Sequence, residues 1–143
     1  MYTSTHAFSA QILGQRSADS LADFEQNTVN LRLLQAAWSQ MRITERTALL
    51  LAMAERIALA KQDLAAAVCM EVGRCLRECE AEIDKTVDLI RYYAKLAPEL
   101  LDSKTITTQA SLSQVRFEPL GLVLAVMPWN YPVWQIMRFA IPA

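Results

Sequence analysis

Hydrophobic residues recur every three or four positions from about residue 18 to residue 98, and this spacing predicts a layer of successive α-helices. The first helix is expected to begin after Ser20 and the second after Thr44, because serine and threonine side chains cap the first N–H groups of helices. The third is expected to end at Gly73, since glycine readily adopts the left-handed conformation that closes a helix. Residues 18–98 are therefore interpreted as a helical layer.

The fourth helix has the most regular pattern of the chain. Its stripe repeats at intervals of four and three residues until Pro98, where the missing N–H and the ring of proline stop a helix. The opposite face alternates in charge, which is typical of a solvated surface. The residues assigned to that exposed face are Arg77, Glu78, Glu82, Asp84, Lys85, Asp88 and Arg91.

Beyond Pro98 the period changes from helical to extended. Apolar and polar residues alternate over 104–108 and 113–118, as they do in half-exposed antiparallel strands. Residues 110–112 would connect the two strands. The pattern predicts a β-hairpin over residues 103–118.

Residues 121–127 are apolar at every position, which is typical of a strand covered on both faces in a parallel sheet. A Pro-Trp-Asn turn follows, and then a short helix over 133–139 with Pro132 in its first turn. A buried parallel strand needs a neighbour on each side, and no further strand follows it. We therefore interpret 119–143 as the first strand, turn and helix of a doubly wound sheet, and the fold class as α/β, the truncated start of such a domain.

Composition argues against several classes of function. The chain has 143 residues, 53% of them hydrophobic, and a net charge of -1, so neither nucleic acid nor a membrane surface is expected as a partner. Its 3 glycines lie far apart, which leaves no glycine-rich phosphate-binding loop. The single histidine, His6, is expected to lie in a frayed terminus.

The 3 cysteines, Cys69, Cys75 and Cys79, lie within one short stretch. Without a nearby histidine they make at most half of a zinc site, so no metal site is predicted, and they are interpreted as helix-packing residues. No signal peptide is evident in the sequence, and the odd number of cysteines favours reduced thiols in the cytoplasm.

The apolar end of the sequence allows more than one interpretation. Residues 120–143 carry one charge, Arg138, and approach the length of a membrane span, but Pro128, Asn130 and Pro132 would interrupt such a span near its centre. In a rigid core turn, Asn130 would cap the following helix. In an open α/β sheet, the same turn would face the ligand crevice, where the amide N–H groups of Asn130 suit a developing oxyanion.

One continuous stretch resembles a known family. Residues 118–135, which contain Pro-Leu-Gly, the apolar segment and Pro-Trp-Asn-Tyr-Pro, resemble the aldehyde dehydrogenase superfamily. Residues 134–138 look most like its bacterial succinate-semialdehyde dehydrogenase branch. Weaker similarity around Arg46 and at 71–74 extends the resemblance to about residues 20–143, so the chain is identified as an amino-terminal fragment of such an enzyme.

The resemblance implies a cytoplasmic oxidation of an aldehyde to a carboxylic acid with NAD or NADP, in an oligomer of identical subunits, and succinate semialdehyde is a candidate substrate. By the same resemblance, Asn130 would stabilise the oxyanion that forms when a cysteine thiolate attacks the aldehyde. Val126, Met127, Pro128 and Trp129, together with Asn130, would contact the cofactor.

The resemblance also assigns the hairpin at 103–118 to the oligomerisation arm, and it puts the family's catalytic cysteine and general-base glutamate downstream of Ala143. This chain alone is therefore expected to be inactive and to bind neither NAD nor NADP tightly. The alternative is a non-catalytic helical interaction module that pairs with a full-length relative through the hairpin and the apolar end.

Overall fold

Two short β-hairpins flank the helical layer in the computed structural model, which describes residues 1–143. The first hairpin precedes four helices, and the second is followed by one short helix. The elements are β1 (Tyr2–Thr5), β2 (Ile12–Arg16), α1 (Leu21–Gln40), α2 (Ile43–Leu59), α3 (Lys61–Val72), α4 (Leu76–Leu100), β3 (Lys104–Thr105), β4 (Gln114–Val115) and α5 (Pro132–Ala140).

The hydrophobic core lies where α4 packs against α2 and α3, and Val133 of α5 packs against the same core. The buried apolar residues of α4 follow its predicted stripe. The core residues are Ala54, Ala65, Val68, Cys79, Ile83, Val87, Ile90 and Ala94. Because α4 contributes to every part of this core, it is the element against which the site is built.

Two helix boundaries follow local capping chemistry as expected. α1 begins after Ser20, whose hydroxyl accepts a hydrogen bond from the Asp23 N–H (3.1 Å). The Asp23 carboxylate in turn accepts one from the Ser20 N–H (2.9 Å), which completes a capping box. α3 ends at Gly73, whose φ of 80° is the left-handed conformation that glycine tolerates.

Two other boundaries differ slightly from the prediction. α2 starts at Ile43 instead of after Thr44, because the Glu45 carboxylate accepts a hydrogen bond from the Arg42 N–H (3.0 Å) and closes the first turn earlier. α4 continues past Pro98 to its end at residue 100. A proline in the last turn removes a single backbone hydrogen bond, which a helix of this length tolerates.

The N-terminal residues form a hairpin, so the prediction of a frayed terminus at His6 is wrong. β1 pairs antiparallel with β2, with Tyr2 opposite Arg16. The Ala7 N–H donates to the Met70 carbonyl oxygen (2.8 Å), which ties the hairpin to α3. This contact joins two backbone segments that are far apart in sequence, and a local hydrophobic pattern does not predict such a contact.

The hairpin predicted over 103–118 is present, but its paired part is short. β3 pairs antiparallel with β4, with Lys104 opposite Val115. One further hydrogen bond runs from the Ile106 N–H to the Ser113 carbonyl oxygen (2.9 Å). A two-stranded hairpin without a covering surface has little to stabilise a longer ladder, which explains the difference.

Residues 121–127 do not form the buried strand that their apolar pattern predicts. The segment has no strand partner, and Leu124 and Val126 are 83% and 88% exposed. A parallel strand is stable when neighbours satisfy both of its edges, and neither hairpin of this chain pairs with it. The helix predicted after the turn does form, as α5, with Pro132 as its first residue.

α1 also leaves its apolar stripe uncovered. None of its residues is buried, and Phe24 and Leu34 are more than half exposed. Helical periodicity therefore predicted the element correctly, although most of its apolar side stays exposed. No helix combines the length and the apolar character that crossing a bilayer requires.

We expect Gly73→Ala to lower the free energy of unfolding by about 1–2 kcal/mol, because a side chain is strained in the left-handed conformation. The added Cβ would also lie 2.9 Å from the Cβ of Ala7. Urea unfolding followed by circular dichroism measures the change. Gly14→Ala is the matched control, since nothing lies within 4 Å of its added Cβ. An equal loss of unfolding free energy in both variants would contradict the explanation that the left-handed conformation at residue 73 requires glycine.

Candidate functional site

A tight turn joins the extended segment to α5. Pro128 and Pro132 flank Trp129, Asn130 and Tyr131, so the backbone is restricted on both sides of the turn. Asn130 is exposed, and its contact with the protein is through its backbone carbonyl oxygen, while its side-chain amide makes no hydrogen bond within the chain. The amide of Asn130 is therefore free to bind a ligand.

The N-terminus of α5 is capped by Glu82 of α4. Oε1 of Glu82 accepts hydrogen bonds from the backbone N–H groups of Val133 and Trp134, both at 3.0 Å. The N-cap residue Tyr131 supplies no side-chain cap. The interpretation of Asn130 as a helix cap is therefore wrong, because a carboxylate from another helix already satisfies these N–H groups.

Glu82 is buried, with 4% of its surface exposed, although the charge pattern of α4 assigns it to the solvated face. Its second carboxylate oxygen, Oε2, pairs with Nη1 of Arg74. A carboxylate is stable away from water only where opposite charge and N–H donors replace its hydration. Arg74 and the N-terminus of α5 supply both, and this is why the prediction for Glu82 is wrong.

Arg74 lies between α3 and α4, and its side chain connects α4 to the turn. Its Nη1 lies 3.4 Å from the Asn130 carbonyl oxygen, and its guanidinium carbon lies 3.7 Å from the centroid of the Tyr131 ring. Its Nη2 donates to the Glu78 carbonyl oxygen (3.3 Å). The turn is thus held through its backbone and Tyr131, and the Asn130 side chain takes no part in holding it.

A cavity of about 540 Å³ lies between α4 and the turn. In the wall of this cavity, the ammonium group of Lys85, on α4, contacts the face of the Trp134 ring at 4.0 Å from its centroid. Lining residues include Arg74, Glu82, Lys85, Asn130, Tyr131 and Trp134. The cavity offers an amide donor, cationic groups and aromatic surface, a combination that suits a small polar ligand.

The structure brings only one of the residues predicted for the site, Asn130, into this cavity. Val126, Pro128 and Trp129 are exposed, Met127 is half-buried, and none of these four side chains lines the cavity. Their contact with a cofactor therefore stays a prediction.

Glu82 and Arg74 hold the site, although neither was predicted to belong to it. A signal for Glu82 was present, since it lies three residues after Cys79 and four before Thr86, both of which are buried on α4. These positions share one face of a helix. Arg74 gave no such signal, because it lies between two helices, where helical spacing does not indicate which side chains meet.

The three cysteines lie apart from the cavity. Cys69 is half-buried in α3, Cys75 is exposed before α4, and Cys79 is buried in α4. Burial raises the pKa of the Cys79 thiol above its ordinary value. The structure contains no group of three or more histidine, cysteine, aspartate or glutamate residues arranged to hold a metal ion.

This fold occurs in solved structures of dehydrogenases. The succinic semialdehyde dehydrogenase of Streptococcus pyogenes, solved with NADP+, aligns with a TM-score of 0.92 and 26% identity, over 99% of this chain and 31% of that chain. A betaine aldehyde dehydrogenase variant from Staphylococcus aureus, in complex with NAD+, aligns with a TM-score of 0.90 and 25% identity, over 99% and 29% of the two chains. The α/β fold class is thereby confirmed as the fold of part of an aldehyde dehydrogenase.

A model of the aldehyde dehydrogenase family matches residues 2–143, so the chain belongs to the aldehyde dehydrogenase family. This finding confirms the resemblance carried by residues 118–135. It also extends the resemblance to the N-terminal hairpin, which lies before the stretch that the sequence motifs covered.

Curated relatives come from the branch that residues 134–138 indicated. The succinate-semialdehyde dehydrogenase [NADP(+)] of Deinococcus radiodurans is 36% identical over 105 residues, which are 73% of this chain and 22% of that protein. A probable succinate-semialdehyde dehydrogenase [NADP(+)] of Synechocystis is 43% identical over 83 residues, 58% of this chain and 18% of that protein. The chain therefore spans about a fifth of the length of these relatives.

We expect Glu82→Gln to lower the free energy of unfolding by roughly 3 kcal/mol, because Arg74 would lose its charged partner in a buried pair. The Arg74 side chain is only 14% exposed, so water compensates for little of that loss. Urea unfolding measures the effect. Asp88→Asn is the control, since Asp88 is exposed on the same helix, and its change should stay within about 0.5 kcal/mol. A loss for Glu82→Gln no larger than that of the control would refute a stabilising role for the pair.

We expect iodoacetamide to modify Cys75 fastest and Cys79 slowest at mildly alkaline pH. Cys75 is exposed, whereas burial raises the pKa of the Cys79 thiol and hides its sulfur from the reagent. Peptide mapping by mass spectrometry gives the three rates. The variant Cys75→Ser should lose the fastest phase, and unfolding in urea should bring the remaining rates together. Equal rates for Cys75 and Cys79 in the folded chain would contradict the burial seen here.

Proposed function

We propose that this chain is part of an NAD(P)-dependent aldehyde dehydrogenase that oxidises an aldehyde to a carboxylic acid, and that Asn130 binds the oxyanion formed in that reaction. The observation that carries the proposal is the free side-chain amide of Asn130 at the edge of the cavity. The names of the relatives support succinate semialdehyde as the substrate and NADP as the cofactor.

The chemistry of the reaction explains why a free amide is needed. When a thiolate attacks an aldehyde carbon, negative charge develops on the carbonyl oxygen. A neutral donor that is already oriented stabilises this charge without having to reorganise. Because Glu82 caps α5 and Arg74 binds the Asn130 backbone, the two amide N–H groups of Asn130 remain available to that oxygen.

The attacking thiol is proposed to come from outside these residues. None of the three cysteines lines the cavity that contains Asn130, and Cys79 is buried in the core. The chain by itself is therefore proposed to be inactive, and the oxidation is an activity of the assembled enzyme. A general base that activates water is likewise assigned to the rest of that enzyme.

The residues predicted to contact the cofactor fit one end of a dinucleotide. Val126 and Trp129 offer exposed apolar surface, which suits the flat face of a nicotinamide ring. No charged side chain lies between residues 119 and 137 to pair with the phosphates, so tight binding needs residues elsewhere. When bound, the nicotinamide accepts a pair of electrons together with a hydrogen from the substrate carbon.

The hairpin and the cysteines support two further parts of the proposal. β3 and β4 are exposed and leave their outer edges unpaired, which suits pairing with another subunit, so we assign residues 103–118 to oligomerisation. The three free cysteines are consistent with the reducing environment of the cytoplasm.

A second candidate function is a non-catalytic module that binds a full-length relative. The observation that favours it is the uncovered apolar segment, in which Leu120 and Val126 are 98% and 88% exposed. Co-expression of the tagged chain with an intact aldehyde dehydrogenase, followed by purification on the tag, measures whether the two proteins bind each other, and binding together with an inactive chimera would favour this second function.

A chimera in which this chain replaces the matching part of the Deinococcus radiodurans relative tests the catalytic proposal. We expect the chimera to oxidise succinate semialdehyde, and Asn130→Ala to lower kcat by about 10²–10³-fold, as the loss of an oxyanion donor does. Asn27→Ala is the matched control, because Asn27 is exposed on α1 and far from the turn in sequence. A folded chimera without activity, or full kcat in Asn130→Ala, would contradict the proposed function.

A further inference from the structure

Some of the charged side chains that line the cavity form ion pairs, and one does not. Arg74 pairs with the buried Glu82, and its Nε also lies 3.8 Å from the Glu78 carboxylate. Both oxygens of Glu82 are occupied, one by Arg74 and one by the N-terminus of α5, which itself carries about half a positive charge. Lys85 forms no ion pair within the chain, so it is the lining cation without a carboxylate partner.

The position of the Lys85 ammonium group is set by Trp134. Its Nζ lies 4.0 Å from the centroid of the Trp134 ring, a contact that holds a cation through the face of an aromatic ring. Such a contact uses none of the three N–H donors of lysine, so they stay available to an acceptor in the cavity. Trp134 follows Asn130 by four residues, at the start of α5. Lys85 and Asn130 therefore line the same space with two different kinds of donor.

We propose that Lys85 binds the carboxylate of a substrate whose other end is the aldehyde, so that the cavity selects oxo acids over neutral aldehydes. The inference rests on the proposed function for the aldehyde end, which Asn130 receives, and it adds the residue that determines the substrate class. A carboxylate binds an ammonium group through hydrogen bonds in which both partners are charged, whereas an amide oxygen accepts only as a neutral group and a methyl group does not accept at all. Lys85 is thus a specificity residue and has no part in the chemical step.

Titration of the isotopically labelled 143-residue chain, followed by NMR, tests this inference without a thiol or a cofactor. The probes are succinamate, which carries a carboxylate and an amide in place of the aldehyde, and succinamide, which is neutral at both ends. We expect succinamate to shift the indole N–H of Trp134 saturably and to bind about tenfold more tightly than succinamide, as one hydrogen bond to a charged group predicts.

Variants locate the charge that discriminates between the probes. Lys85→Met should abolish the preference for succinamate, and Lys85→Arg should retain most of it. Lys95→Met is the matched control, because Lys95 is exposed on the same helix and does not line the cavity. The side-chain amide resonances of Gln135, another lining residue, provide a reporter that does not depend on the contact between Lys85 and Trp134.

Several results would overturn the inference. These are equal binding of the two probes, no binding of either, a preference that survives Lys85→Met, and a preference lost in Arg138→Met instead. A catalytically active chimera whose Lys85 does not discriminate would overturn this inference alone. An inactive, folded chimera together with Lys85-dependent binding of succinamate would overturn the proposed function alone.

Discussion

The site depends on one buried carboxylate, that of Glu82. One of its oxygens binds two backbone N–H groups at the start of α5, each at 3.0 Å, and the other binds Arg74. This arrangement joins α4, the connection between α3 and α4, and the turn before α5 into one unit. A carboxylate removed from water requires such partners, so the burial of Glu82 and the position of α5 depend on each other.

Because of the same interaction, the Asn130 side chain is not needed to hold the turn. The helix α5 has Tyr131 as its N-cap and Pro132 as its first residue, and the free N–H groups of its first turn need a hydrogen-bond acceptor. An asparagine side chain commonly supplies that acceptor. Here Glu82 has that role from another helix. Asn130 therefore keeps its side-chain amide unbound, as the oxyanion-binding role proposed for it requires.

Two apolar surfaces of the chain remain uncovered, those of α1 and of residues 121–127, and each would need another element packed against it. The core is built from α2, α3 and α4, whereas α1 buries none of its residues and residues 121–127 have no strand beside them. The aldehyde dehydrogenases that share the fold extend over about three times as much chain. A strand that is apolar at every position is stable when both of its faces are covered and both of its edges are paired. In this chain, residues 121–127 have neither the covering elements nor the neighbouring strands.

Sequence alone determined the features that depend on neighbouring residues: the cap at Ser20, the end of α3 at Gly73, the stripe of α4, the hairpin, and the Pro-Trp-Asn turn by which the family is recognised. Only the tertiary structure decided that Glu82 is buried, that the N-terminus pairs with itself and packs on α3, and that Asn130 is not the cap of α5. The physical reason is that these features depend on contacts between different elements of the fold. Helical spacing indicates which side chains share a face, but the charge, donor or strand that meets that face belongs to another part of the fold, and the pattern within one element does not show it.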